Sequence, residues 1–143
     1  MRVSLPAVAI NVDPELLVLN ITYEWFTIHT HRPYCTIRSS RWQEAAVKRC
    51  DQAALRIVHL LGCYKRLHSI RFVPLAVVQM VFAAGAIFIY RARQLEPDSS
   101  GKKAALRHFS SCIGLLRDME NTWKCAAETR GILERIRATC LTG

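Results

Sequence analysis

The stretch from Phe72 to Tyr90, FVPLAVVQMVFAAGAIFIY, limits what this chain can fold into. Its 19 residues hold no ionisable group before the terminal tyrosine, and Arg71, Arg91 and Arg93 bracket it. As a helix it belongs either in a lipid bilayer or at the centre of a helical domain whose other helices surround it. Ten of its residues, all Phe, Val, Leu or Ile, each favour insertion by about 0.3–0.6 kcal/mol, about 3–6 kcal/mol together. The flanks give such a span no orientation. Arg56, Lys65, Arg66 and Arg71 precede it, and Arg91, Arg93, Lys102, Lys103 and Arg107 follow, so there is no positive-inside bias. Ala83, Ala84, Gly85 and Ala86 make a small-residue face that another helix can approach closely in either environment.

The remainder of the chain helps to choose between these environments. Asp13-Pro14-Glu15 starts a helix: Asp caps, Pro fits the first helical position, and Glu complements the N-terminal dipole. Leu16, Leu19, Tyr23 and Phe26 form one apolar stripe and Leu17, Ile21, Trp25 and Ile28 another, so this helix is expected to be touched from two sides. It must end by His31-Arg32, because Pro33 disfavours helical geometry in the residue before it. Tyr34 to Ser40 reads as a connector, and Ser40 with Gln43 as a capping box. The second helix then carries Ala46, Cys50, Ala53, Ala54, Ile57, Leu61 and Tyr64 on one side, with Gly62 as a candidate end or bend.

The apolar helix follows from about Pro74 to Gln94, and Glu96 to Gly101 is a polar loop. Ala105, Phe109, Cys112, Leu116 and Met119 form a further stripe. The phase changes near Asn121-Thr122, and a last helix from Trp123 presents Ala126, Leu133, Ile136 and Cys140. Arg130 and Glu134 are placed for a surface pair. No segment alternates with period two. The expected fold is all-α, one domain over residues 1–143, with about five helices packed around the apolar segment 72–94. A buried central helix requires four amphipathic neighbours and a single-pass membrane protein does not, which favours the protein core. A small membrane protein anchored by residues 72–90 is the alternative.

At 143 residues the chain can bury roughly two thirds of the surface its unfolded form exposes. Half of it is hydrophobic and 22% is charged, which excludes a disordered chain. The net charge of +9 permits contact with nucleic acid or acidic surfaces. The basic residues are scattered along every segment, however, as on solvated helix faces. The six cysteines, at 35, 50, 63, 112, 125 and 140, have no CxxC pair, and their steps fit neither a zinc module nor a small disulfide scaffold. They read as buried reduced thiols in an intracellular protein. The N-terminal run MRVSLPAVAINVDP, broken by Pro6, makes a poor signal peptide. Asn20-Ile21-Thr22 matches a glycosylation pattern but falls inside a helix.

No phosphate loop, GxSxG or HExxH occurs. His29 and His31 lie about 200° apart on a helix, so they and Cys35 could face one metal only across the helix end. Asp118 and Glu120 are splayed in the same way, against a carboxylate dyad. His59, His68 and His108 stand alone in the sequence. No catalytic residue, cofactor site or metal site is expected.

Several strings, in order, resemble the regulatory domain of fungal zinc-binuclear-cluster transcription factors. They are Ser4-Leu5-Pro6, Leu19-Asn20-Ile21-Thr22-Tyr23, His31-Arg32-Pro33-Tyr34, Cys50-x-x-Ala53-Ala54-x-x-Ile57, Pro74 with Phe82-Ala83-Ala84-Gly85, and Leu116-x-x-Met119-x-x-x-Trp123-x-x-Ala126. They cover residues 4 to 136 or so. Asn20 stands where the family usually has His, and Thr30 where it often has Leu. Nothing in the chain matches the family's DNA-reading module of six tightly paired cysteines. The resemblance implies an all-helical, non-catalytic nuclear domain that corresponds to the later part of the regulatory domain, from a truncated form without its DNA-binding module. Such a domain would contact protein co-regulators or its own copies, or a small effector, and not DNA directly. A missing packing surface would leave apolar stripes exposed and promote self-association. A basic helical nucleic-acid binder and an enzyme are the remaining, weaker readings.

Overall fold

Helix boundaries follow the local chemistry of the chain closely. The computed structural model describes residues 12–37 and 40–141, with five α-helices among them: α1 Pro14–His31, α2 Ser40–Leu67, α3 Ala76–Gln94, α4 Ser100–Met119 and α5 Cys125–Leu141. Short 3-10 turns at Arg32–Thr36 and Ile70–Phe72 lie in two of the connections, and no strand occurs among the described residues. Asp13 caps α1 through its Oδ1, which accepts a hydrogen bond from the Glu15 backbone N–H at 2.9 Å, and Pro14 takes the first helical position. The helix stops at His31, ahead of Pro33. Ser99 caps α4 by accepting from the Lys102 N–H at 3.2 Å. The expected string Ser4-Leu5-Pro6 lies outside the described residues, as does the side chain of Ser40, half of the expected capping box. Its partner Gln43 donates its side-chain amide to the Cys35 carbonyl at 2.9 Å.

Boundaries shift from expectation in four places, the last helix starting at Cys125 instead of Trp123. Gly62 neither ends nor bends α2, which runs on to Leu67, a helical glycine being a local weakness and not a stop. Gly101 belongs to α4 and not to the loop before it. The apolar helix starts at Ala76, so residues 72–75 stand outside it, with Phe72 80% exposed on its 3-10 turn. Val73 is nonetheless fixed: its carbonyl accepts the Trp123 indole N–H at 2.9 Å, which ties the α2–α3 connection to the α4–α5 connection.

The core is built around α3, which packs against each of the other four α-helices. The sequence stripes meet it as expected. Ala46, Cys50, Ala53, Ala54, Ile57, Leu61 and Tyr64 of α2 are all buried, and so are Ala105, Phe109, Cys112, Leu116 and Met119 of α4. The small-residue face of α3 permits its close approach to α4 and α5. A Cβ built on Gly85 would stand 2.9 Å from Leu133 Cδ1 and 3.7 Å from Cys112 Cβ, so any side chain there competes with the α5 anchor for the same space. Among the described residues α3 is the one helix long and apolar enough to cross a bilayer, and 61% of its most apolar 18-residue window is buried inside the protein. Its exposed residues Ala76, Gln79, Tyr90 and Arg93 recur at helical spacing on one strip.

Candidate interaction surface

α1 packs against α2, α3 and the Arg32–Thr36 turn, and so occupies the edge of the bundle. The two apolar stripes of its sequence have opposite fates. Leu17, Ile21 and Ile28 are buried against α2 and α3, with Trp25 half-buried beside them. Leu16, Leu19, Tyr23 and Phe26 face outward at 52%, 64%, 59% and 58% exposure. The expectation of a helix touched from both sides is therefore met on one side only.

The outward residues recur at steps of three, four and three, and Thr30 continues the row four further on. A repeat near 3.5 is the seam along which another helix lies, each apolar knob entering a hole between four residues of its neighbour. The seam runs into a groove of about 590 Å3 lined by Thr30, His31, Tyr34, Ile37, Trp42 and Arg49. Tyr34, Ile37 and Trp42 are themselves exposed, so the apolar surface continues from α1 across the 3-10 turn onto the first turns of α2. Scattered exposed apolar side chains are normal, but seven on one helix face, the turn after it and the start of the next helix are characteristic of an interaction site.

The charge around this surface is uneven. Arg49 lies in the groove-lining row of α2, and Arg41 flanks it. Glu44, the acidic residue of that turn, points about 150° away from the groove row by helical spacing, though only about 60° from Arg41. Neither arginine forms an ion pair among the described residues. At the other end of the seam Asp13 and Glu15 are acidic, and the Asp13 side chain is engaged in capping.

Beneath the same helix lies a polar contact that the sequence analysis missed. Glu24 is buried, its Oε1 3.0 Å from Arg56 Nε of α2, and its Oε2 has no hydrogen-bond partner among the described residues. The signal for it was present: 17, 21, 24 and 28 follow four-three-four spacing, which puts Glu24 on the inner face.

Most of the other candidate residues are taken up by packing and pairing. His31 Nδ1 is 2.8 Å from the Thr27 carbonyl, and His29 stacks edge-on against Trp25 at 4.6 Å. Cys35 Sγ lies 3.8 Å from Cys50 Sγ, across from α2. Asp118 pairs with Lys65 at 2.6 Å. Glu120 binds Arg130, which also reaches Glu134 at 3.3 Å, so the expected α5 pair is part of a three-residue group joining α4 to α5. His68 is 2.8 Å from the Val12 carbonyl. His59 and His108, solitary in sequence, line one shallow groove of about 440 Å3 between α2 and α4, where burial and then Arg107 hold the His108 imidazole below its usual range.

Cys35, Cys50 and Cys112 are buried, whereas Cys63, Cys125 and Cys140 are partly exposed, a departure from the expectation that all six are inside. Burial pushes Cys112 up to about 12; burial, with Cys35 and Asp51 adding to it, does the same for Cys50. A thiol reacts as its thiolate. Under native conditions a thiol reagent such as DTNB is therefore expected to label Cys63, Cys125 and Cys140, while Cys50 and Cys112 react only after denaturation. Mass spectrometry of the labelled peptides checks this, and rapid native labelling of Cys112 would contradict the packing of α4 on α3.

No protein-family model matches the chain, and no solved structure matches it. Over 123 residues, 84% of its length, the chain is 26% identical to the nitrogen assimilation transcription factor nit-4 of Neurospora crassa. The match covers 11% of that protein. A fold of five helices with an open apolar edge thus comes with a relation to a fungal transcription factor, over most of this chain and a small part of the relative.

Proposed function

We propose that the chain is a non-catalytic regulatory segment of a fungal transcription factor, acting in the nucleus by binding protein partners. The observation that carries this is the outward seam of α1 with its adjoining groove, an apolar surface that none of the other four helices covers. Three things support it. The relative is a transcription factor by name. His29, His31, Cys35, Cys50, Asp118 and Glu120 are engaged in packing and pairing instead of converging on a reaction centre. The basic residues are spread over several faces and not gathered into the single stripe that phosphate binding uses. DNA reading would belong to residues other than these 143, which lack paired cysteines of zinc-cluster spacing.

The reading is tested in a fungal reporter strain. The chain is fused between a heterologous DNA-binding domain and an activation domain, and compared with the same fusion carrying Tyr23→Glu and Phe26→Glu. The intact chain is expected to change reporter output, and the double variant, equally abundant, to abolish that change. Output that is the same with, without and with the altered chain would refute a regulatory role. Recovery of the free chain in a membrane fraction that resists alkaline washing would favour instead a single-pass anchor built on Phe72–Tyr90.

A further inference from the structure

We infer that the seam of α1 and its groove receive one kind of partner: an amphipathic helix that carries acidic residues where it crosses the groove. This deepens the reading of the chain as a partner-binding segment and rests on it. The helical form follows from the spacing. Leu16, Leu19, Tyr23, Phe26 and Thr30 occupy alternate three- and four-residue steps, which match the side-chain rows of a second helix and not the two-residue period of an added strand. The apolar face of the partner follows from the exposed Leu19, Tyr23, Phe26 and Trp42, aromatic and aliphatic anchors of the kind that dominate binding energy when buried.

The acidic character follows from the lining. His31 and Arg49 enter the groove wall, Arg41 flanks it, and no carboxylate lines it. Arg49 and Arg41 have no counter-ion among the described residues, so a partner carboxylate gains charge-assisted hydrogen bonds without breaking an existing pair. A second copy of this chain is a poorer occupant because of its overall charge. Chains that each carry a net charge of +9 repel one another on approach, whereas an acidic helix is drawn to the same surface. Glu15 at the far end of the seam also sets a direction, because it disfavours partner carboxylates there and leaves the groove end as their place.

The test uses the full 143-residue chain and two synthetic, fluorescently labelled helical peptides of about 20 residues, with an identical Leu and Phe seam and flanks of either Glu or Lys. Fluorescence anisotropy is expected to show the Glu peptide bound at least about tenfold more tightly than the Lys peptide, with the preference shrinking as salt rises. Arg41→Glu with Arg49→Glu, both at exposed positions, is expected to reverse the preference, an outcome that misfolding cannot produce. Tyr23→Ala with Phe26→Ala is expected to weaken binding of both peptides about tenfold or more. Equal binding of the two peptides, or binding of neither, overturns the inference. So does sedimentation showing a dimer of the free chain that Phe26→Glu dissociates, which assigns the face to a second copy. These readouts are independent of the reporter: peptide binding with a silent reporter would leave the surface standing and remove the regulatory role, and the converse would remove only the acidic-helix partner.

Discussion

Val78→Asp is expected to abolish soluble, folded protein, while Gln79→Asp, one residue further along the same helix, leaves it folded. Val78 has no exposed surface and lies in the core, whereas Gln79 is on the strip of α3 that faces outward. An unpaired carboxylate forced into an apolar interior costs about 3–5 kcal/mol or more, whether it stays charged or takes up a proton. That is a large part of the roughly 5–15 kcal/mol that holds a domain of this size together. The exposed change costs little more than its difference in helix propensity, a few tenths of a kcal/mol. Detergent-free expression followed by urea denaturation, monitored by circular dichroism, checks both. The pair also separates the two environments the apolar segment can occupy. In a bilayer an Asp near the helix centre is unfavourable at either position, by about 2.5–3.5 kcal/mol, so equal damage from the two variants would speak for lipid around α3.

Phe109→Ala is expected to lower the unfolding free energy by about 3–5 kcal/mol, and Phe26→Ala by less than about 0.5 kcal/mol. Phe109 is fully enclosed in the core on α4, with the Arg137 guanidinium of α5 5.9 Å from the ring centre. Its removal costs the transfer energy of the ring and leaves a cavity between helices that cannot fully close. Phe26 is more than half exposed, and in the isolated chain truncating it removes few contacts. Urea titrations with unchanged slope and a shifted midpoint would confirm a stability effect for Phe109. A loss at Phe26 comparable to that at Phe109 would mean that the outer stripe is covered in solution by something the fold does not show.

Those two phenylalanines also mark what could be read from the sequence. Phe109 belongs to a single stripe of five residues on a helix with one apolar face, and such a pattern has one solution: the stripe is inside. The seven-residue stripe of α2 is the same case. Phe26 belongs to a helix with two stripes, and periodicity cannot say which of them the rest of the chain covers. That depends on where α1 sits in the bundle, a tertiary fact. Glu24 escaped for a related reason: its position on the inner row was available from spacing, but a carboxylate is ordinarily exposed unless a partner such as Arg56 is supplied from another helix. Hydrophobicity that continues through Phe72 and Val73 hides the true start of α3, although Pro74 disfavours helix in the residue before it. The groove was not legible at all, since Thr30, Tyr34 and Trp42 come from three elements and meet only once the chain turns at Pro33.

The placement of Leu133 against Gly85 has a consequence for how the chain is made. α3 is complete at residue 94, but the side chain that closes its small-residue face is about 40 residues further on. At the ordinary pace of translation that gap lasts about 2–8 s. Throughout it α1 and α2 are already made, but the side of this apolar helix that α4 and α5 cover is still without its partners. During that interval a factor that binds apolar nascent helices has the open face of α3 to itself, and folding to the final form requires α4 and α5 to take that face back.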